Sequence, residues 1–114
     1  MKKEYIDYLE DIVNAMAKSE SFIKDLTYDN FIKDDKTCFA VIRALEIIGE
    51  ATKNIPESIR TKYPDIPWRD MAGMRDKLIH EYSGVRFDLV WKTIKEIIPS
   101  LKLKFQRIID ELDS

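Results

Sequence analysis

Between Cys38 and Ala51 the chain carries only three charges, Arg43, Glu46 and Glu50, set among Phe, Val, Ile, Ala and Leu. A helix over about 36–54, capped by Asp34 or Asp35, is therefore apolar around much of its circumference. Such a helix has to be central to a bundle or shared with a partner. Arg43 and Glu46 stand one turn apart on it and can pair along one stripe. Gly49 lies in its middle at a cost of about 1 kcal/mol relative to Ala, which points to close approach of another backbone. That approach is either a tight crossing within one subunit or a dimer seam.

The other elements arrange themselves around this one. Tyr5, Ile6, Leu9, Ile12, Val13, Met16, Phe22, Ile23 and Leu26 recur at threes and fours, predicting an amphipathic helix over about 3–26. The stretch 27–30 breaks the pattern with capping residues, and Phe31-Ile32 reads as a short turn closing over the core. Pro56 and Pro64 bracket one or two helical turns, and Pro67 opens a further helix to about Tyr82 whose buried side is Trp68, Met71, Leu78 and Ile79. After Gly84-Val85 a last helix runs to about Leu112 with Leu89, Val90, Ile94, Ile97, Ile98, Leu101, Phe105, Ile108 and Ile109 on its apolar face. Pro99 has to kink or split it.

A chain of 114 residues with 45% hydrophobic and 35% charged residues, 3 Gly and 4 Pro suits a single all-α domain over 1–114 with one core. No apolar run approaches a membrane span and no signal peptide is visible, so a cytoplasmic location is expected. Cys38 is the only cysteine and His80 the only histidine. An internal disulfide is excluded, Cys38 reads as a small buried hydrophobe, and no metal site or cofactor is expected. Gly-rich phosphate loops and Gly-x-Ser-x-Gly elbows are absent. Residues 1–57 hold 8 basic against 12 acidic side chains, whereas 60–107 hold 11 against 6. A locally positive site can thus accept an anion while the N-terminal half disfavours indiscriminate nucleic-acid binding. Most of the lysines read as solvated helix faces.

The chemistry concentrates in residues 75–82, Arg-Asp-Lys-Leu-Ile-His-Glu-Tyr. Imidazole moves protons near neutral pH, and the Arg75 fork suits phosphate oxygens. In an unbroken helix Arg75 and Tyr82 share a face, with His80 about 140° round from Arg75. Ser83-Gly84 places the helix end near Tyr82 and His80 in the last turn. Arg75 and His80 then meet either through distortion of that turn or across a dimer in which each His faces the partner's Arg. The second is favoured, because RNA scission by the 2′-hydroxyl benefits from both a proton acceptor and a donor.

Taken together, Arg43-Ala44-Leu45-Glu46-Ile47-Ile48-Gly49-Glu50-Ala51, Pro67-Trp68, the segment from Met74 to Tyr82, and Val90-Trp91 resemble the HEPN-domain proteins of the HepT type, the toxins of HEPN/MNT toxin–antitoxin pairs. The likeness runs from Tyr5 to Leu101. It implies a four- to five-helix up-and-down bundle, a homodimer, and metal-independent endoribonuclease activity in a cleft along the dimer interface. By position, Arg75 would hold the scissile phosphate, His80 would transfer protons, and Asp76 would orient one of them. Tyr82 matches the tyrosine that the family's nucleotidyltransferase antitoxin modifies with AMP. Arg43 and Glu50 fall behind these residues. Arg86 stands near where the resemblance leads one to expect an Asp opening the last helix. A non-catalytic nucleotide-binding or adaptor bundle that works by binding a partner protein is the competing reading.

Overall fold

The computed structural model describes residues 2–80 and 84–113, and side chains over 5–78 and 84–113. Helix α1 (Lys2–Ile23) and helix α3 (Asp35–Lys53) pack along each other, with the short α2 (Tyr28–Lys33) between them in the chain. Capping fixes these boundaries. Thr27 Oγ1 accepts from Asn30 N at the start of α2, and Asp34 accepts from Thr37 N and Thr37 Oγ1 at the start of α3. Each thereby satisfies a first-turn backbone donor that the helix itself cannot. The choice between Asp34 and Asp35 falls to Asp34.

The far end of α3 is closed by a residue from the next element, α4 (Glu57–Lys62). Arg60 Nε donates to Ile55 O at 3.0 Å and Nη2 to Thr52 O at 2.8 Å. A guanidinium at a helix C-terminus both fills orphan carbonyls and opposes the negative end of the dipole.

One continuous helix over 67–82 is expected from the sequence, and the structure corrects this. The chain forms α5 (Trp68–Ala72) and α6 (Met74–Leu78), separated at Gly73, and leaves helical geometry altogether at Ile79. Ile79–His80 is a short strand β1, paired antiparallel with β2 (Gly84–Val85) in the register Ile79↔Val85 and His80↔Gly84. Arg86 N donates to Leu78 O at 2.9 Å and continues the ladder. Gly73 weakens the helix, Ile79 is β-branched, and 84–85 supplies the backbone partners that a further helical turn would have supplied. Gly84 has φ +82°, the only positive φ among the described residues. Its left-handed freedom serves the returning strand rather than a helix stop.

Helix α7 (Phe87–Lys92), a π-helical turn (Thr93–Ile97) and α8 (Ile98–Asp113) form the last rod. The π turn directly precedes Pro99 and is the form the expected kink takes, since widening the turn relieves the clash of the ring with the preceding carbonyl. Leu9, Ile12, Met16, Ile23, Phe31, Val41, Leu45, Ile48, Val90, Ile94, Ile98 and Phe105 are buried in one core. Trp68 locks α5 onto α8, its ring edge-to-face with Phe105 at 5.5 Å and its Nε1 donating to Tyr63 O. Phe31 sits 5.9 Å from Phe87 and 5.3 Å from Trp91 and ties α2 to α7. The architecture is an all-α bundle, as expected. Two residues assigned to apolar faces are exposed, Phe22 at 39% and Ile97 at 46%, and so is Phe39, in the apolar run 38–42, at 74%.

Candidate functional site

Helix α6 is five residues long, and its Met74 and Leu78 point inward and are buried. Arg75, between them in sequence, is thereby turned outward toward α3. Its Nε donates to Glu46 Oε2 at 3.1 Å, while Nη1 lies 3.9 Å from Asp76 Oδ1. The Arg75 side chain is 55% exposed and that of Glu46 24%. Glu46 is thus the more fixed partner, and it holds the guanidinium by its inner nitrogen. Glu46 takes up Nε, and the two Nη groups of a guanidinium are the donors that suit phosphate oxygens. Asp76 is 80% exposed and stands beyond hydrogen-bond distance of Arg75.

Glu46 is joined on α3 by its neighbours along the helix. Arg43 Nη1 lies 3.7 Å from Glu46 Oε1 and 3.5 Å from Glu50 Oε1. The four residues Arg43, Glu46, Glu50 and Arg75 therefore make one chain of alternating charge across α3 and α6. Sequence reading pairs Arg43 with Glu46 and assigns Glu46 no role toward Arg75. The missing contact joins residues 29 apart, and no local periodicity reports a contact at that range.

His80 lies on β1, two residues past the end of α6, so the angular relation expected from an unbroken helix does not hold. The backbone leaves the helix at Leu78, before the turn expected to carry His80. The His80 side chain and Tyr82 lie outside the described residues. The strand carrying His80 is held by its ladder to 84–85, which Arg86 N extends to Leu78 O. Arg86 Nε and Nη2 donate to Asp88 Oδ1 and Oδ2 at 3.2 and 3.0 Å. These bonds hold the Asp88 carboxyl below its ordinary range and push the Arg86 guanidinium up. Where the resemblance leads one to expect an Asp opening the last helix, this chain has Arg86 with Asp88 two residues on.

Gly49 faces the backbone of α5, an added Cβ standing 3.5 Å from Met71 O and 3.6 Å from Ala72 O. Of the two origins open for Gly49, a crossing within the chain is observed. It brings α5, and through it α6, against α3 beside Glu46. Among the described residues no group of three or more His, Cys, Asp or Glu is placed to hold a metal ion, and no helix is long and apolar enough to cross a membrane.

The fold and site define a class of small all-α bundles in which a short helix presents an arginine, paired with a carboxylate of the central helix, next to a strand that carries a histidine. The model of the family described as ribonuclease HepT-like matches residues 12–108. A protein of Thermococcus cleftensis named "Probable ribonuclease HepT" is 56% identical over 95% of this chain and 98% of its own length. A protein of Methanocaldococcus jannaschii named "Putative RNase MJ0125" is 48% identical over 98% of this chain and 97% of its own. No solved structure matches. The chain belongs to the HepT-like ribonuclease family.

Proposed function

We propose that this chain is a metal-independent endoribonuclease, working as a homodimer and serving as the toxin of a toxin–antitoxin pair. The observation that carries the reading is the bracing of Arg75 by Glu46 within a member of the HepT-like family. Arg75 binds the scissile phosphate through the outer edge of its guanidinium. His80 transfers the proton of the attacking 2′-hydroxyl or of the leaving 5′-oxygen. One histidine per chain supports the dimer, since two-fold symmetry supplies one group for each proton. Asp76 stands beside Arg75 as an exposed polar neighbour. A nucleotidyltransferase antitoxin silences the enzyme by adding AMP to Tyr82, two residues from His80, filling the site with the anion it binds.

The test is cleavage of single-stranded RNA in the presence of a chelator. Products ending in 2′,3′-cyclic phosphate are expected, together with loss of cleavage in folded His80→Ala and Arg75→Ala chains. Undiminished cleavage by His80→Ala removes His80 from the mechanism. A folded wild-type chain that binds a partner and cleaves nothing returns the adaptor reading. Intact mass after co-expression with an active nucleotidyltransferase tests the modification, with AMP-sized additions mapping to Tyr82 expected. An unmodified chain removes that regulatory claim.

A further inference from the structure

Phe39 is the most exposed large hydrophobic residue of the described chain, at 74%, although it lies in the most apolar stretch of the sequence. Its neighbours Cys38 and Val41 are buried, so α3 is seated correctly and Phe39 is on its outer face. That face is the one already described. Positions 39, 43, 46 and 50 are separated by four, three and four residues and fall on a single stripe of the helix. Phe39 therefore stands in line with Arg43 and with Glu46, the residue that braces Arg75. From 39 to 46 the helix rises about 10 Å, a span within reach of a nucleotide neighbouring the scissile bond or the one beyond it.

An aromatic ring left in water at this position has a chemical counterpart. Single-stranded RNA offers unstacked bases, and a Phe ring is a sequence-tolerant platform for them. The stripe carries one exposed cation, Arg43, beside Glu46 and Glu50. Glu46 and Glu50 are each within ion-pair distance of an arginine, and Arg43, 60% exposed, lies between Phe39 and the Arg75 site. An exposed pair of this kind exchanges readily for a phosphate. We infer that Phe39 is a base-stacking residue that receives a nucleotide flanking the cleaved bond, with Arg43 contacting the phosphate between that base and Arg75. This rests on the ribonuclease reading above and adds a binding subsite to it.

The experiment compares wild type, Phe39→Ala, Phe39→Leu and Phe39→Trp, all expected to fold because the ring is exposed. Binding is read by fluorescence anisotropy with fully 2′-O-methylated oligo(A) and oligo(U), which cannot undergo 2′-hydroxyl attack. Cleavage is read on unmodified RNA, and association state by sedimentation. Phe39→Ala and Phe39→Leu are expected to weaken binding and raise KM about 5- to 100-fold with kcat nearly kept. Phe39→Trp should retain wild-type binding, and the preference for oligo(A) over oligo(U) should shrink in the Ala and Leu variants. If wild type binds and cleaves while Phe39→Ala matches it, the subsite is overturned and the ribonuclease reading stands. If Phe39→Leu keeps full binding, or if Phe39→Ala turns a dimer into a monomer, the ring is a protein-contact residue and the inference falls. A wild-type chain that neither binds nor cleaves RNA overturns both.

Discussion

Arg75 is more than half exposed, and an exposed ion pair adds little to folding. What Glu46 contributes is direction. It takes up Nε and fixes where the rest of the guanidinium points, and small misplacements of a positioning group are costly in catalysis. Glu46→Gln is expected to lower kcat/KM for RNA cleavage by about tenfold to 100-fold while leaving the melting temperature unchanged. Asp76→Asn, at an 80% exposed side chain beyond hydrogen-bond distance of Arg75, should have a much smaller effect. Measuring the two variants side by side separates bracing from mere negative charge. Arg75 stands out in the sequence as a cation with a planar fork of donors, and the structure adds the exposure of its side chain. Glu46 does not stand out, because its partner lies 29 residues away and its local setting reads as one more solvated charge.

The short elements around the site depend on backbone conformations that can be tested individually. Gly84→Ala puts a Cβ at φ +82° and should weaken the pairing of 79–80 with 84–85, lowering cleavage more than it lowers global stability. Gly49→Ala has the opposite expectation. The added methyl meets the carbonyls of Met71 and Ala72 at ordinary contact distance, and Ala gains about 1 kcal/mol of helix propensity. Its melting temperature should hold or rise, whereas a branched residue there should lower it. Arg60→Ala removes the side-chain donor of Ile55 O and one of the donors of Thr52 O, which keeps the Ile55 amide, and is expected to cost about 1–2 kcal/mol, read by denaturant unfolding. The long helices were legible from periodicity, and their starts from capping residues. The end of α6 was not. Nothing in the local pattern stops the helix at Leu78, and the antiparallel pairing with 84–85 draws Ile79–His80 into extended form.

For the whole molecule, acid is a graded stress. The Asp34 carboxyl is held below its ordinary value of 3.8, chiefly by the Thr37 hydroxyl and then by the Thr37 amide. Asp88 is lowered chiefly by Arg86. A carboxyl depressed in the folded state contributes stability above its unfolded value, and that contribution is lost as the pH falls through the folded value. The melting temperature should therefore be flat above the carboxylate range and fall below it. Asp34→Asn should flatten part of that fall, as scanning calorimetry against pH would register. The overall bundle was legible because a nearly all-apolar helix leaves few arrangements open. The side on which α3 exposes Phe39 was not, since apolar character alone does not say which face a neighbour covers. Cys38, buried one residue from that exposed ring, makes the contrast useful. Its thiol donates to Phe31 O, and burial, followed by Asp35 and Asp34, pushes its pKa up. Reactivity toward a disulfide reagent requires a thiolate in contact with solvent, so in this chain it requires α2 to lift from α3. The single thiol is a built-in clock for that opening, and its labelling rate reads how often the native bundle breathes.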